Sequence, residues 1–361
     1  MVFVGDIASP NASASEDLSR ALSENHHVFS GKRLICNLEG LIYEAIKPLS
    51  KNEPILYNHP SILEVLGQEY KTVFCLANNH ILDLPEQYES TVSLFTNKSL
   101  HYCGAGRNIM EAEHPVAFCE GNCTVVLFNA CWDFLLYNHK NPRSGIHVAK
   151  LKEKYLIERV REHKKAIPES YIIVYLHWSL DLETLPYPMY RIFSRDLIDA
   201  GANVVIGSHS HCVQGGENYN NGYIIYGLGN FFIPNNVFAG NNLAFPDFAR
   251  VQLAFEWDMQ SNNAVCHWFE YRNMDKMNTL IYLESARLDE SERFREYSAF
   301  QGMDDKEYLT YFKKNRRKTF LIPVYKDYHN LLRNKLYTEF LKLRARFAHL
   351  IAKLHLIKWQ S

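Results

Sequence analysis

Along the first 230 positions, short apolar runs recur, and each stops at a polar side chain. Met1–Val4 runs into Gly5-Asp6, Arg33–Cys36 into Asn37-Leu38-Glu39-Gly40, and Thr72–Leu76 into Ala77-Asn78-Asn79-His80. Tyr171–Leu176, rich in β-branched and aromatic residues, ends at His177-Trp178, and Asn203–Ile206 ends at Gly207-Ser208-His209-Ser210-His211. Such runs predict buried strands, with Gly207 placed for a turn. Between them lie segments of helical character: 15–26, 61–70, 85–96, 150–165, and 190–200 closed by Gly201. The third opens on Pro85, which suits a first turn, and repeats Tyr88, Val92 and Phe95 at helical spacing. Strands alternating with helices predict an α/β fold whose chemistry sits at the C-terminal strand ends.

Two features modify that pattern. Pro115–Cys119 and Cys123–Asn129, joined by Glu120-Gly121-Asn122, predict a hairpin, so the sheet is expected to be mixed. Tyr223–Tyr226 predicts another strand, Gly227–Phe231 a structural turn, and 250–257 with 264–271 late edge strands. From Leu332 to Leu356 the character changes: apolar residues at 336, 340, 343, 347, 350, 351 and 354 keep helical spacing, and from Arg333 to Lys358 there are seven Lys or Arg and one Glu. That stripe is expected either to pack on its own domain or a partner, or to lie on an anionic membrane surface.

With 47% hydrophobic residues among 361, the chain can bury a large core, as one α/β domain or two. A net charge of −1 removes any overall pull toward nucleic acid or membrane, and the basic residues lack the aromatic partners of a nucleic-acid module. Eight cysteines without a Cys-x-x-Cys pair suit buried thiols in a reducing compartment. The opening apolar run is too short for a signal peptide, and no apolar stretch reaches the roughly 18 residues of a membrane span, so a cytoplasmic location is expected.

Asp6, Glu39, Asn79, His80, His177, His209 and His211 all fall just past predicted strands, and all are oxygen or imidazole donors. Any one has an ordinary explanation: a turn aspartate, a histidine in a loop or core. Together they form the set that metal-assisted hydrolysis needs, two cations about 3.5 to 4 Å apart sharing a carboxylate. Glu39 is the candidate bridge. Mixed nitrogen and oxygen donors suit Mn, Fe or Zn. No Gly-x-Ser-x-Gly supports a serine nucleophile.

The ordered motifs resemble those of the CapA-like capsule-synthesis (poly-γ-glutamate biosynthesis) proteins, a branch of the calcineurin-like metallophosphoesterase fold. They are Val4-Gly5-Asp6, Asn37–Gly40, Leu76–His80 with Asp83, Gly104-Ala105-Gly106, His177-Trp178, Asp199–Ala202, Gly207–His211 with Gln214-Gly215, and Tyr226–Phe231. The resemblance implies a four-layer α/β/β/α sandwich over residues 1–257, followed by a C-terminal extension, 258–361, with a late strand and a basic amphipathic helix. It implies two divalent ions, one held by Asp6, Glu39 and His211, the other by Glu39, Asn79, His177 and His209. His80, with Asp83, becomes the catalytic acid or transition-state stabiliser. Three departures stand out. Ala8 replaces the usual histidine, which thins the first site; Ser179 and Asp181 replace a usual Gly and Glu; and many relatives begin with a membrane anchor, whereas this sequence opens on its first strand. The expected activity is phosphoester hydrolysis in capsule or surface-polysaccharide metabolism, on a small-molecule or polymer phosphate or glycan. The alternatives are cleavage or transfer at a poly-γ-glutamate amide, or non-catalytic polymer binding and assembly. Residues 325–361 are the expected point of any peripheral contact with the inner membrane surface.

Overall fold

The computed structural model describes residues 1–44, 55–67, 69–136, 145–238, 243–274 and 277–353, with the side chains of the last helix described as far as Phe347. In chain order the strands are β1 (Val2–Ile7), β2 (Leu34–Leu38), β3 (Val73–Cys75), β4 (His101–Cys103), β5 (Ala105–Gly106), β6 (Val116–Glu120), β7 (Cys123–Cys131), β8 (His147–Val148), β9 (Tyr171–His177), β10 (Val204–Ser208), β11 (Val213–Tyr219), β12 (Gly222–Leu228), β13 (Val251–Asp258), β14 (Asn263–Met274) and β15 (Met277–Arg287). The helices are α1 (Ala12–Glu24), α2 (His26–Phe29), α3 (Ile62–Leu66), α4 (Tyr88–Asn97), α5 (Ile109–Glu113), α6 (Glu153–Ala166), α7 (Pro188–Asp199), α8 (Glu292–Tyr297), α9 (Asp305–Asn315) and α10 (Leu331–Lys353).

Two mixed sheets carry the fold. One runs β15-β14-β13-β1-β2-β3-β4 and the other β11-β12-β10-β9-β7-β6, with β5 and β8 forming a small pair. The strands β1 to β4 are mutually parallel, as are β7, β9, β10 and β12. The hairpin β6–β7 supplies the expected antiparallel pairing.

Alternation along each strand explains the layering. Phe3, Ile35, Ile173, Tyr175, Ile206, Ile225 and Phe255 share one buried cluster drawn from both sheets. Their neighbours Val2, Val4, Cys36, Val174, Val205 and Ile224 belong to another, together with Leu18 and Leu22 of α1 and Phe193 and Leu197 of α7. Each sheet therefore buries one face on its partner and the other under helices, which is the α/β/β/α sandwich. Tyr175 Oη crosses the interior to donate to Val4 O at 2.8 Å, tying β9 to β1.

Late strands differ from expectation. β13 is no edge strand: it pairs with β1 on one side and β14 on the other, while β15, which lacked a clear alternating signature, takes the edge. The seven-stranded sheet thus continues past residue 257, the expected boundary. Gly207 is not at a turn either. It lies within β10, where a Cβ would meet Tyr226 O at 2.0 Å and Trp178 Nε1 at 2.3 Å, so it permits close strand approach. Gly227 and Leu228, expected in a turn, extend β12.

Glu256 on β13 gathers Lys32 Nζ at 2.7 Å and His267 Nε2 at 2.8 Å, which together hold its carboxyl near 2 against the opposing effect of burial. Because the folded value lies below the ordinary 4.5, the stabilisation is present above that value and is lost as pH falls toward 2. In urea denaturation, Glu256→Gln should lower stability at pH 7 by about 2 kcal/mol, with the deficit shrinking as the pH is taken below about 4.5. A deficit constant down to pH 2 would contradict this role.

Candidate metal centre

Parallel strands in both sheets end at one place, so their terminal side chains meet. Asp6 lies within β1, just past a bulge at Gly5. Glu39 follows β2, Asn79 and His80 open a 3₁₀ turn after β3, His177 ends β9, and His209 and His211 follow β10. Asp6, Glu39 and His177 are buried, and one ligating atom from each lies within 4.8 Å of the others. The same holds for Glu39, His209 and His211. Glu39 is common to both groups.

The structure brings every expected ligand together and adds residues that the sequence reading passed over. Asn37, two positions before Glu39 on the same strand face, donates from Nδ2 to Asp6 Oδ1 at 2.7 Å, with Glu39 Oε1 at 3.5 Å and His177 Nδ1 at 3.3 Å also in reach. Asn78 in turn donates to Asn37 Oδ1 at 3.2 Å. His177 Nε2 is 2.7 Å from Asn79 Oδ1, and Ser208 Oγ is 3.1 Å from His177 Nδ1. Asn230, in the glycine-rich segment read as a structural turn, puts Oδ1 2.6 Å from His211 Nδ1. The alternation of β2 could have flagged Asn37. Asn230 carried no signal beyond the motif around it.

His209 and His211 make the bend after β10 with φ of 82° and 53°. Side chains disfavour this left-handed conformation by about 1 kcal/mol or more each, so the surroundings must impose it. One constraint is visible: His209 N donates to Asp6 Oδ2 at 3.1 Å.

Electrostatics decide what this end of the sandwich can hold. Burial, then the neighbouring Glu39, pushes the Asp6 carboxyl up to about 7. Burial, then adjacent imidazoles, drives His177 and His209 well below the ordinary histidine range, leaving neutral rings, the form that can ligate a metal. The basic groups within 4.0 Å of Asp6 and Glu39 are imidazoles alone among the described residues: His211 Nδ1 at 3.4 Å from Asp6, and the neutral His177 Nε2 at 3.7 Å and His80 Nε2 at 4.0 Å from Glu39. Glu39 Oε2 and His209 Nδ1 are buried with no hydrogen-bond partner among the described residues. Buried carboxylates beside neutral imidazoles, with two donor atoms left over, fit divalent cations.

His80 stands at the rim. Burial lowers its imidazole, but Asp83, Glu39 and Asp6 together outweigh that and raise it to about 9. Asp83 Oδ2 accepts from His80 Nδ1 at 2.7 Å and also from Leu56 N at 2.9 Å, which fixes the ring with Nε2 toward Glu39. Ala8 is fully buried in a small apolar cluster with Leu56, Ile233 and Phe238, so the place of the usual histidine is filled by packing. In the loop after His177, Asp181 is 44% exposed and pairs with Lys318 at 3.7 Å. The fully buried acid there is Glu183, which accepts from the backbone N–H groups of Leu185, Arg317 and Lys318.

The bacterial capsule synthesis protein family PGA_cap matches residues 1–235. Capsule biosynthesis protein CapA of Bacillus anthracis is 27% identical over 166 residues, which cover 44% of this chain and 39% of that one. PGA biosynthesis protein CapA of Bacillus subtilis strain 168 is 27% identical over 177 residues, 49% of this chain and 46% of that one. The match spans less than half the length of either relative. A hypothetical protein of Thermus thermophilus overlaps in structure with a TM-score of 0.43 at 13% identity, over 79% of this chain and 98% of that one, too partial a likeness to bear on chemistry. With well over half its length matched, and the matched part holding β1 through Asn230 beside the donor cluster, the chain belongs to the bacterial capsule synthesis protein family PGA_cap.

Proposed function

We propose that this chain is a metal-dependent phosphoester hydrolase acting in capsule or surface-polysaccharide biosynthesis. The observation that carries the reading is the position of Glu39, shared by two buried donor groups with one carboxylate oxygen unpartnered. Asp6, Glu39 and His211 would hold one ion, and Glu39, Asn79, His177 and His209 the other, with Mn, Fe or Zn favoured by the donors. This division exchanges His177 and His211 between the two donor groups, and is supported by His211 Nδ1 lying 3.4 Å from Asp6 and His177 Nε2 2.7 Å from Asn79. Such a centre supplies, when loaded, an acidified water and a clamp on phosphoryl oxygens. The chain's own contribution is positional. Asn37 orients both carboxylates, buried neutral imidazoles keep competing protons away, and Asp83 holds His80 so that Nε2 can donate to a leaving oxygen. The Bacillus subtilis relative is a PGA biosynthesis protein, and the same water could attack a glutamate amide carbonyl, which makes amide cleavage the second reading.

Elemental analysis after reconstitution should find close to two ions per chain in the wild type and under a tenth of that in Glu39→Gln. His209→Ala should lose more metal than His211→Ala, because the first site already lacks a ligand at Ala8. Equal losses would contradict that ranking. On aryl or sugar phosphates, His80→Ala should lower kcat by roughly 10² to 10⁴ while metal content stays unchanged. An unaltered kcat would remove His80 from the reaction. Absence of turnover by fully loaded wild type would leave a binding protein, and release of glutamate oligomers instead of phosphate would establish the second reading.

A further inference from the structure

The C-terminal helix uses the wrong face for its expected packing. Leu341, with Tyr337 and Ala345 beside it, turns inward on α10, and Lys342 Nζ reaches Asp133 Oδ2 at 3.1 Å. The predicted stripe points the other way. Leu332, Leu336, Phe340, Leu343 and Phe347, spaced by three or four residues along one side, are 46 to 72% exposed. The expected continuation at 350 and 351 lies beyond the described side chains, and 354 beyond the described residues. Next to the stripe, the segment before α10 exposes Phe320 and Leu321, and Arg344 Nε donates to Phe320 O at 3.2 Å. Leu321 and Phe340 line a shared groove. Apolar surface on this scale, gathered on one side of a polar molecule, marks a contact face.

Charge selects the occupant. Lys335 and Arg346 lie exposed among the stripe residues, Lys313 and Lys314 precede the Phe320 segment, and Glu339 is the acid in the described part of the helix. Two copies of this face would bring like charges together, whereas an anionic bilayer would answer the cations while taking up the apolar side chains. Among the described residues no helix is long and apolar enough to cross a membrane, so contact would be in the interface plane. We propose that the face formed by Phe320, Leu321 and the outer side of α10 docks peripherally on an anionic phospholipid surface. The same face would bring the metal centre's rim near the lipid, since Lys318, which pairs with Asp181, is two residues from Phe320.

The test is co-sedimentation of the full chain with phosphatidylcholine vesicles, with and without phosphatidylglycerol, at low and high salt. Binding should require phosphatidylglycerol and weaken with salt. The triple variant Leu336→Ser/Phe340→Ser/Leu343→Ser should bind roughly tenfold or more weakly, with far-UV circular dichroism and metal content unchanged. Should that variant fail to fold, Lys335→Glu/Arg346→Glu supplies the same reading through the charge component. The proposal is overturned by no sedimentation with either vesicle, by variant binding equal to wild type, or by a wild-type dimer in light scattering that the triple variant converts to monomer. Vesicle binding and hydrolysis are measured separately, so either claim can fail alone.

Discussion

Two carboxylates buried side by side at the end of a double-sheet sandwich are the constraint on which the rest of the molecule turns. Asp6 and Glu39 are fully inaccessible to water, and Asn37 reaches both. Like charges so placed are strongly unfavourable unless protonated or matched by positive charge. Among the described contacts no Lys or Arg reaches the pair, and the one imidazole raised to about 9, His80, stands 4.0 Å from Glu39 and is shared with Asp83, so a single rim cation faces two buried carboxylates. The arrangement makes physical sense as a receptacle for cations, with folding stability surrendered locally in exchange for a preformed site.

The fold has to concentrate strand ends to build that receptacle, and small residues let it do so. Gly5 is one: a Cβ there would meet Gly229 O at 1.8 Å, and the bulge it permits turns Asp6 inward while Asp6 N donates to Gly229 O at 3.2 Å. Gly207 plays the same part in the opposite sheet, letting β12 and Trp178 close on β10 just before the two histidines. Backbone strain then appears where the candidate ligands are, at His209 and His211, and again at Ser179 and Leu182 in the loop after His177. Strain kept at these positions is consistent with side chains being held for chemistry at some expense to local stability.

Much of this was legible because buried parallel strands announce themselves as apolar runs, and a polar residue that ends a run must sit at the sheet's rim. Asp6, Glu39, His177, His209 and His211 stand out as candidates in that way, and the fold brings them to one end of the sandwich. What stayed hidden depended on tertiary contact. Asn37 looked like ordinary strand punctuation until its amide was seen to join both carboxylates, and Asn230 became a site residue only because β12 ends beside His211. β15 carries too many exposed polar positions to stand out, since one edge of it is unpaired. For α10, periodicity marked a stripe whose described members, Leu336, Phe340, Leu343 and Phe347, are all exposed, and could not say which way it would face. That is decided by Leu341 and Lys342 on the opposite side.

The most direct test of the central claim is a crystal structure of the manganese-loaded protein with anomalous scattering recorded at the metal edge. Two anomalous peaks are predicted about 3.5 to 4 Å apart at the shared strand ends, with the Glu39 carboxylate between them and imidazole nitrogens of His177 and His209 on the same ion. An end of the sandwich with no peak, or peaks that leave Glu39 uncoordinated, would contradict it.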